Sequence, residues 1–402
     1  MIVTLGKWFA VPERVDELHL IHVLGRSAEH DGSRIRVKDV VGHVGLPSGE
    51  VCHLRSHKAT AASVIAWIAF QDSSLSGARF GDDAQVASDD DDVGALLARA
   101  FAAEVVRLVA TRGLLRRYAR VAVSSGAIRG RILFDRFAAR AWDITSVPCE
   151  AFERVTNTAL NRFLAAVTGM IGMNPVLRTG CGEHWHFLND AVAGIEPRID
   201  ERILSGDFTF DRLDEPYRRA CALGRLLLRF RGQGDTGGQR SFSFLIPVNS
   251  LFENTVVKAF RKAGYAVEPK FNMSCGKLHR SLDASLVGPV PDARFQGDVC
   301  VDVGGRRVVI DAKFKMELSP SCYYQVVTYC LLHGATEAVL VLPDCGEPQS
   351  TVTFVSAWAG ETRMIRVHAL HLATDGRTVA DWANASADLV RRFKVVLRGL
   401  TE

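Results

Sequence analysis

The sequence predicts a mixed α/β fold distributed over several domains. The 402 residues exceed what one hydrophobic core usually holds, and 48% hydrophobic with 23% charged residues is typical of a folded globular chain. Strand-like stretches dominate the start of the chain, and helical periodicity dominates its middle. The last part has the order helix, three strands, helix, strand, which is typical of an α/β unit.

Residues 1–92 are predicted to form a strand-rich N-terminal domain that ends in an apolar helix and an acidic linker. Turn residues such as Pro47 and Gly49 separate the β-like stretches. The linker ends in four aspartates, 89–92, which would stabilise the start of the next helix through its dipole. The predicted strands are 2–5, 19–24, 35–41 and 51–54, and the helix is 61–70.

Residues 93–240 are predicted to form a mainly helical connector rich in arginine. From Arg99 to Arg231 there are 21 arginines, no lysine and 14 acidic residues, a net charge of +7. Two alternative explanations of this excess stay open: codon bias, or a surface that faces an anion. Apolar residues recur at helical spacing over 93–109, 159–171 and 221–230, whereas the basic stretch 128–136 is expected to be extended.

Residues 241–402 are predicted to form the α/β domain, after a glycine-rich loop at 232–238. That loop satisfies the pattern G-x-G-x-x-G, but it follows a helix rather than a strand, so no dinucleotide site is expected. The predicted elements are a helix at 250–263, strands at 266–271, 298–303 and 307–312, a helix at 321–333 and a strand at 338–342.

Several classes of protein are excluded by what the sequence lacks. No G-x-x-x-x-G-K-[ST] motif is present, so a nucleotide-driven step would need a partner protein. The longest strongly apolar run, 62–70, is far shorter than the roughly 20 residues that cross a bilayer, so no membrane association is expected. Nine cysteines without C-x-x-C pairing suit a reducing compartment, and we expect a cytoplasmic protein. The net charge of +4 permits nucleic-acid binding.

One hairpin carries the residues of a chemical site. Asp298 begins a predicted strand, the chain turns at Gly304 and Gly305, and the return strand ends in Asp311 and Lys313. The hairpin length places both aspartates near the same end of adjacent strands. Paired carboxylates are oxygen ligands that suit Mg²⁺. A nearby lysine can orient the attacking water and neutralise charge that builds on an attacked phosphorus.

Three further side chains are candidates for the same site. Glu253 lies on the predicted helix that opens the α/β domain, and it would support the site directly or from one layer further out. Gln325 and Tyr329 are four residues apart, so they share one face of the next helix, where they could hold the lysine or the substrate backbone.

This arrangement resembles the PD-(D/E)xK nuclease superfamily, which implies a restriction-endonuclease-like domain. The resemblance assigns the metal to Asp298 and Asp311, with the Ala312 carbonyl as a further ligand and Lys313 as the residue that positions water. Gly297 stands where the superfamily usually has proline. A literal Pro-Asp pair ends in Asp292, but it precedes the strand, so Asp292 ranks behind Asp298 as the ligand.

Four windows between residues 42 and 162 extend the resemblance to the McrC-type nuclease subunit of modified-cytosine restriction systems. They are 42–49 (GHVGLPSG), 112–118 (RGLLRRY), 128–132 (IRGRI) and 158–162 (TALNR). Residues 55–58 depart from the family, which tends to have a proline-lysine pair there.

The resemblance implies a metal-dependent DNA endonuclease subunit that cuts double-stranded DNA with Mg²⁺, or with Mn²⁺ as an alternative. It implies a hexameric, GTP-hydrolysing AAA+ partner of the McrB type that recognises 5-methylcytosine-type modification and translocates DNA, with the N-terminal domain as the docking part. Two alternatives stay open: a non-catalytic adaptor that activates the partner GTPase, and a stand-alone nuclease. The arginines expected to contact DNA or the partner are Arg112, Arg116, Arg117, Arg129 and Arg131.

Overall fold

The computed structural model confirms a mixed α/β fold and divides the chain into two compact units. It describes residues 1–12, 17–56, 58–75, 92–139, 145–236, 239–274, 294–315, 318–344, 350–358 and 361–398. One unit, here called the terminal unit, combines Met1–Val93 with Gly232–Glu402. The other, the middle unit, is Gly94–Arg231.

The described strands and helices have the following bounds. The strands are β1 (Ile2–Thr4), β2 (Trp8–Ala10), β3 (Ala28–His30), β4 (Arg34–Val37), β5 (Val40–Gly45), β6 (Val51–Arg55), β7 (Arg117–Ser125), β8 (Arg131–Ile132), β9 (Val147–Val155), β10 (Arg231–Thr236), β11 (Gln239–Pro247), β12 (Val267–Ser274), β13 (Arg294–Val303), β14 (Arg306–Ala312), β15 (Glu337–Pro343), β16 (Ser350–Trp358) and β17 (Glu361–Leu372). The helices are α1 (Glu17–Leu24), α2 (Ala61–Gln71), α3 (Val93–Arg112), α4 (Phe134–Ala138), α5 (Ala159–Met173), α6 (Pro175–Gly180), α7 (His184–Ala191), α8 (Glu201–Ser205), α9 (Arg218–Arg229), α10 (Val248–Lys262), α11 (Pro320–His333) and α12 (Val379–Arg398).

A five-stranded sheet joins the two ends of the chain within the terminal unit. Its order is β1-β6-β5-β11-β10, so the N-terminal hairpin β5–β6 pairs with a strand that follows it by about 200 residues in sequence. Gly42 allows this pairing, because a Cβ atom there would lie 2.0 Å from the Phe244 carbonyl oxygen. We expected residues 1–92 and 241–402 to be separate domains, whereas the structure places both in one compact unit.

A shared aromatic core accompanies that sheet. Trp67 of helix α2 stacks on Trp382 of α12, with ring centroids 4.6 Å apart. The same ring contacts Phe252 of α10 and Phe314, which follows β14, at centroid distances of 5.9 and 5.8 Å. Thr60 caps the start of α2 by accepting a hydrogen bond from the Ser63 N–H. The N-terminal segment therefore completes the core on which the C-terminal helices pack.

A six-stranded sheet positions the candidate site. Its order is β12-β13-β14-β15-β17-β16, with parallel pairing from β14 to β15 and from β15 to β17 and antiparallel pairing elsewhere. Strand β15 is buried along its whole length, as expected for a central strand covered on both faces. Helix α11 connects β14 to β15, and its Tyr329 packs in one cluster with Val309 and Leu340.

The middle unit combines helices with a three-stranded sheet of order β7-β9-β8. The helices predicted at 93–109, 159–171 and 221–230 correspond to α3, α5 and α9. Strands β7 and β9 were not predicted. Asn161 of the TALNR window is buried, and its side-chain amide donates to the carbonyls of Leu115 and Thr156 at 2.9 and 2.6 Å. This contact ties the RGLLRRY and TALNR windows together.

Three local predictions are wrong. The stretch 128–136 was expected to be extended, but only Arg131–Ile132 is a strand, and the short helix α4 begins at Phe134. Residues 19–24 were predicted as a strand but are helical, with His19, Leu20 and Leu24 buried. The prediction failed because so short a run fits both a strand and a helix. Residues 232–236 form strand β10 rather than a loop, because they pair with β11. The predicted linker aspartates 89–91 lie outside the described residues. In the ranges that the structure covers, no helix is both long enough and apolar enough to cross a bilayer.

Candidate active site

The β13–β14 hairpin brings the two predicted metal ligands together. Val299 pairs with Ile310, so Asp298 and Asp311 stand opposite each other at the same end of adjacent strands. The Asp298 Oδ2 atom accepts a hydrogen bond of 2.9 Å from the Ala312 N–H, which fixes that carboxylate against β14. Asp311 is 1% exposed, so its carboxyl group lies in a nearly dry environment.

Lys313 completes the hairpin cluster. Its Nζ atom lies 3.0 Å from Asp311 Oδ2. Its backbone N–H donates to the Val341 carbonyl at 2.8 Å, which extends the β14–β15 pairing by one residue and holds the lysine at the strand end. The ammonium and the two carboxyl groups thus form one acid–lysine cluster, defined by Asp298, Asp311 and Lys313.

Two acids of this site, Asp311 and Glu253, have raised pKa values. Burial and the Asp298 charge raise the pKa of Asp311 well above its usual range, against the opposing effect of Lys313. Burial and the Asp298 charge raise the pKa of Glu253 to about 7, and the charges of Lys270 and Lys313 oppose this shift. Burial lowers the pKa of Lys313, but the Asp311 carboxylate outweighs it, so the net shift is upward and the lysine stays charged.

The acid–lysine cluster fits a divalent cation that prefers oxygen ligands. Among the described residues, the buried Asp311 Oδ2 atom has no well-aligned hydrogen-bond donor, and its close neighbour is the Lys313 ammonium at ion-pair distance, 3.0 Å. A buried oxygen without an aligned donor is rare in folded proteins, and a bound ion is one of the partners that would satisfy it. Across the described residues, no group of three His, Cys, Asp or Glu side chains is arranged to hold a metal. The candidate ligand set is therefore the two aspartates and the predicted carbonyl of the buried Ala312.

Helix α11 carries the predicted glutamine–tyrosine pair to the cluster. Gln325 Nε2 donates to the Tyr329 hydroxyl at 2.6 Å, as expected for side chains four residues apart. Tyr329 is buried, which raises the pKa of its hydroxyl; the Gln325 hydrogen bond opposes this shift and the Asp311 charge adds to it. The charges of Asp298, Asp311 and Lys313 all act on the Tyr329 hydroxyl, and Gln325 is joined to the site through Tyr329.

A contact from the N-terminal segment was not predicted. Lys58 donates from Nζ to the Phe314 carbonyl at 2.9 Å, and its ammonium lies 4.8 Å from the centroid of the Phe314 ring. Phe314 directly follows Lys313, so a residue 256 positions away in sequence fixes the backbone next to the lysine of the cluster. The sequence shows Lys58 within the 55–58 window, but nothing in that window indicates Phe314 as its partner.

The remaining predicted residues lie elsewhere. Asp292 lies outside the described residues. Arg117 is engaged within the middle unit, because its guanidinium contacts Asp211 and Asp214 at 2.6 and 2.7 Å. The other predicted contact arginines, all of them exposed in the middle unit, are Arg112, Arg116, Arg129 and Arg131.

Fold and site together define a mixed α/β protein with a buried acid–lysine cluster at the end of a central strand. The family model described as McrBC 5-methylcytosine restriction system component matches residues 35–343, and the chain belongs to this family. That match confirms the predicted restriction system. No curated protein sequence matches the chain.

Solved structures similar to this chain include two from Thermococcus gammatolerans. One is a chain of a half-complex refined from a tetradecameric assembly of Thermococcus gammatolerans McrB AAA+ hexamers with bound McrC. It has a TM-score of 0.63 and 15% identity, and it covers 98% of this chain and 100% of that one, a likeness of fold. The other, from a cryo-EM structure of the Thermococcus gammatolerans McrBC complex, has a TM-score of 0.41 and 20% identity over 60% of this chain and 71% of that one.

Proposed function

We propose that this chain is the McrC-type DNA endonuclease subunit of a modification-dependent restriction system and hydrolyses phosphodiester bonds of double-stranded DNA. The observation that carries the proposal is the acid–lysine cluster. In it, the buried Asp311 Oδ2 atom has no aligned hydrogen-bond donor and lies 3.0 Å from Lys313 Nζ. The membership of the McrBC family supports the biological setting, with 5-methylcytosine-type DNA as the target.

Each residue of the cluster has a role that follows from its position. Asp298 and Asp311, with the Ala312 carbonyl, would hold Mg²⁺, or Mn²⁺ as the alternative. The metal, when bound, supplies Lewis-acid activation of the phosphodiester. Lys313 would orient the attacking water and neutralise charge on the phosphate, and Asp311 keeps its ammonium in place at 3.0 Å.

Glu253 and Tyr329 would serve the same site from neighbouring helices. Glu253 is half-buried on α10, and its pKa of about 7 allows its carboxyl group to accept or release a proton near neutral pH. Tyr329 and Gln325 on α11 would fix the position of Lys313 or contact the DNA backbone.

We also propose a GTP-hydrolysing AAA+ partner of the McrB type that recognises and translocates DNA. The sequence has no P-loop of its own, and the similar structure is described as McrB AAA+ hexamers with bound McrC. The N-terminal domain, residues 1–92, remains the proposed docking part, and we propose one face of the β7-β9-β8 sheet as a further partner contact. Tyr118 and Phe152 are 71% and 66% exposed there, and the Arg120 guanidinium lies 5.3 Å from the Phe152 ring centroid. Exposed aromatic residues and arginines are enriched in protein interfaces.

The test is cleavage of methylated plasmid DNA by the purified chain with Mg²⁺ and GTP, with and without the partner. The proposal predicts double-strand breaks with the partner and little cleavage without it. Cleavage that does not need the partner would favour a stand-alone nuclease. Stimulation of the partner GTPase without any cleavage would favour the non-catalytic adaptor and contradict the proposal.

A further inference from the structure

Lys270 of strand β12 has an unusual backbone conformation for its residue type. Its φ angle is +49°, and in the described part of the chain no other residue except glycine has a positive φ. A side chain with a Cβ atom is disfavoured in the left-handed region, and a long one gains no compensating local hydrogen bond there, unlike Asn or Asp. Such a conformation persists when the surrounding structure enforces it, and it is concentrated at functional sites.

The position of Lys270 connects it with the acid–lysine cluster. On the antiparallel β12–β13 pair, Pro269 lies opposite Val299 and Phe271 lies opposite Gly297. The two flanking pairs bring Lys270 level with Asp298, although these two residues do not themselves form a ladder pair, and β12 is the edge strand of the six-stranded sheet. The site thus extends over three neighbouring strands, with Lys270 on β12, Asp298 on β13 and Asp311 on β14.

The charge of Lys270 is available to a ligand. The residue is exposed, and its ammonium forms no hydrogen bond or ion pair with the described residues. Its field reaches the site, because it lowers the pKa of Glu253 against the larger effects of burial and Asp298. Among the residues that the structure describes, no hydrogen bond or ion pair explains a lysine at this position, where asparagine or glycine would be less strained.

We propose that Lys270 is a substrate-binding lysine that holds a DNA phosphate beside Asp298. The inference rests on the proposed nuclease function and deepens it by naming a phosphate contact at the edge strand. A lysine ammonium is a point charge that suits a phosphate oxygen, and Lys270 lies on the edge strand of the sheet formed by the described strands. The strained backbone is then retained for the placement of this charge.

Three substitutions separate charge from backbone strain. Lys270→Asn removes the charge but tolerates the left-handed conformation, Lys270→Arg keeps the charge, and Lys394→Gln removes an exposed lysine charge from α12 of the same unit. DNA binding is measured as a function of salt in the Asp311→Asn background, which should bind without cutting. Cleavage with the partner and the thermal midpoint are measured in the otherwise wild-type chain.

The proposal predicts that Lys270→Asn reduces the slope of log affinity against log salt by about 1, the value for one lost phosphate contact. It also predicts a roughly 10- to 100-fold slower cleavage together with an unchanged or higher thermal midpoint, since the strain is relieved. Lys270→Arg should keep the salt slope of the parent protein, because it keeps the charge, and Lys394→Gln should also leave the slope unchanged.

An unchanged salt slope in Lys270→Asn, or a loss of stability that Lys270→Arg shares, would overturn the inference. Its failure is distinguishable from failure of the proposed function. If the wild-type chain binds DNA but never cuts it, the nuclease proposal fails while the salt slope still tests the phosphate contact. If the wild-type chain cuts and Lys270→Asn matches it in slope and rate, only the inference fails.

Discussion

The ionisation of Glu253 should make the metal-free protein less stable as pH rises, and Glu253→Gln should remove this effect. The pKa of Glu253 is about 7 in the folded chain against 4.5 for a free glutamate. Because the folded value is the higher one, the stabilisation is fully present below about pH 4.5 and is lost as pH rises through about 7. The difference corresponds to about 3 kcal/mol, which solvent screening of this half-buried group reduces to about 1–2 kcal/mol.

The assay is urea unfolding of metal-free protein at pH 5 and pH 8. Glu253→Gln, which cannot ionise, should exceed the wild-type free energy of unfolding by less than about 0.5 kcal/mol at pH 5 and by about 1–2 kcal/mol at pH 8. Glu268→Gln, at an exposed carboxylate of the same unit, serves as the control. Its free energy of unfolding relative to wild type should be the same at both pH values. Equal stability of Glu253→Gln and wild type at both pH values would refute the reasoning.

Three further predictions test the metal set, the shared core and the partner surface. Mg²⁺ should raise the thermal midpoint of the wild-type chain more at pH 8 than at pH 6, because binding releases protons, and Asp298→Asn should abolish this shift in a calorimetric scan. Trp67→Ala should cost about 3–5 kcal/mol in the unfolding of the terminal unit, since Trp67 is fully buried against Trp382; a cost under about 1 kcal/mol would contradict a common core. Tyr118→Ala should weaken stimulation of the partner GTPase about 10-fold without a change in thermal midpoint. The equally exposed Tyr324→Ala is its control, and equal effects of the two would argue against the sheet face.

The candidate site was predictable because its parts are local in sequence. A single hairpin brings Asp298 and Asp311 together, and a single helical turn joins Gln325 to Tyr329, so strand and helix periodicity alone place them. The pairing of β5 with β11 and the contact of Lys58 with Phe314 were not predictable. They depend on long-range register, which no local pattern in the sequence encodes. Arg117 shows the same limit, because its partners Asp211 and Asp214 lie more than 90 residues away.

The helical and strand assignments failed where patterns were short. A six-residue apolar run such as 19–24 fits both a strand and one face of a helix, and the tertiary contacts of α1 decide between them. Strand β7 alternates between half-buried and exposed positions, but Arg117 is on the half-buried face and Tyr118 on the exposed one, so the sequence shows no clean apolar alternation at its start.

The most direct test of the proposed nuclease is the cleavage rate of Asp311→Asn beside Asp302→Asn, both with the partner, GTP, Mg²⁺ and methylated DNA. Asp302 lies on the same hairpin, exposed, where its side chain accepts from the Gly305 N–H at 2.9 Å, a bond that asparagine can keep. We predict that Asp311→Asn slows cleavage at least about 100-fold with full stimulation of the partner GTPase, while Asp302→Asn cuts at the wild-type rate. Wild-type cleavage by Asp311→Asn would contradict the assignment of the site.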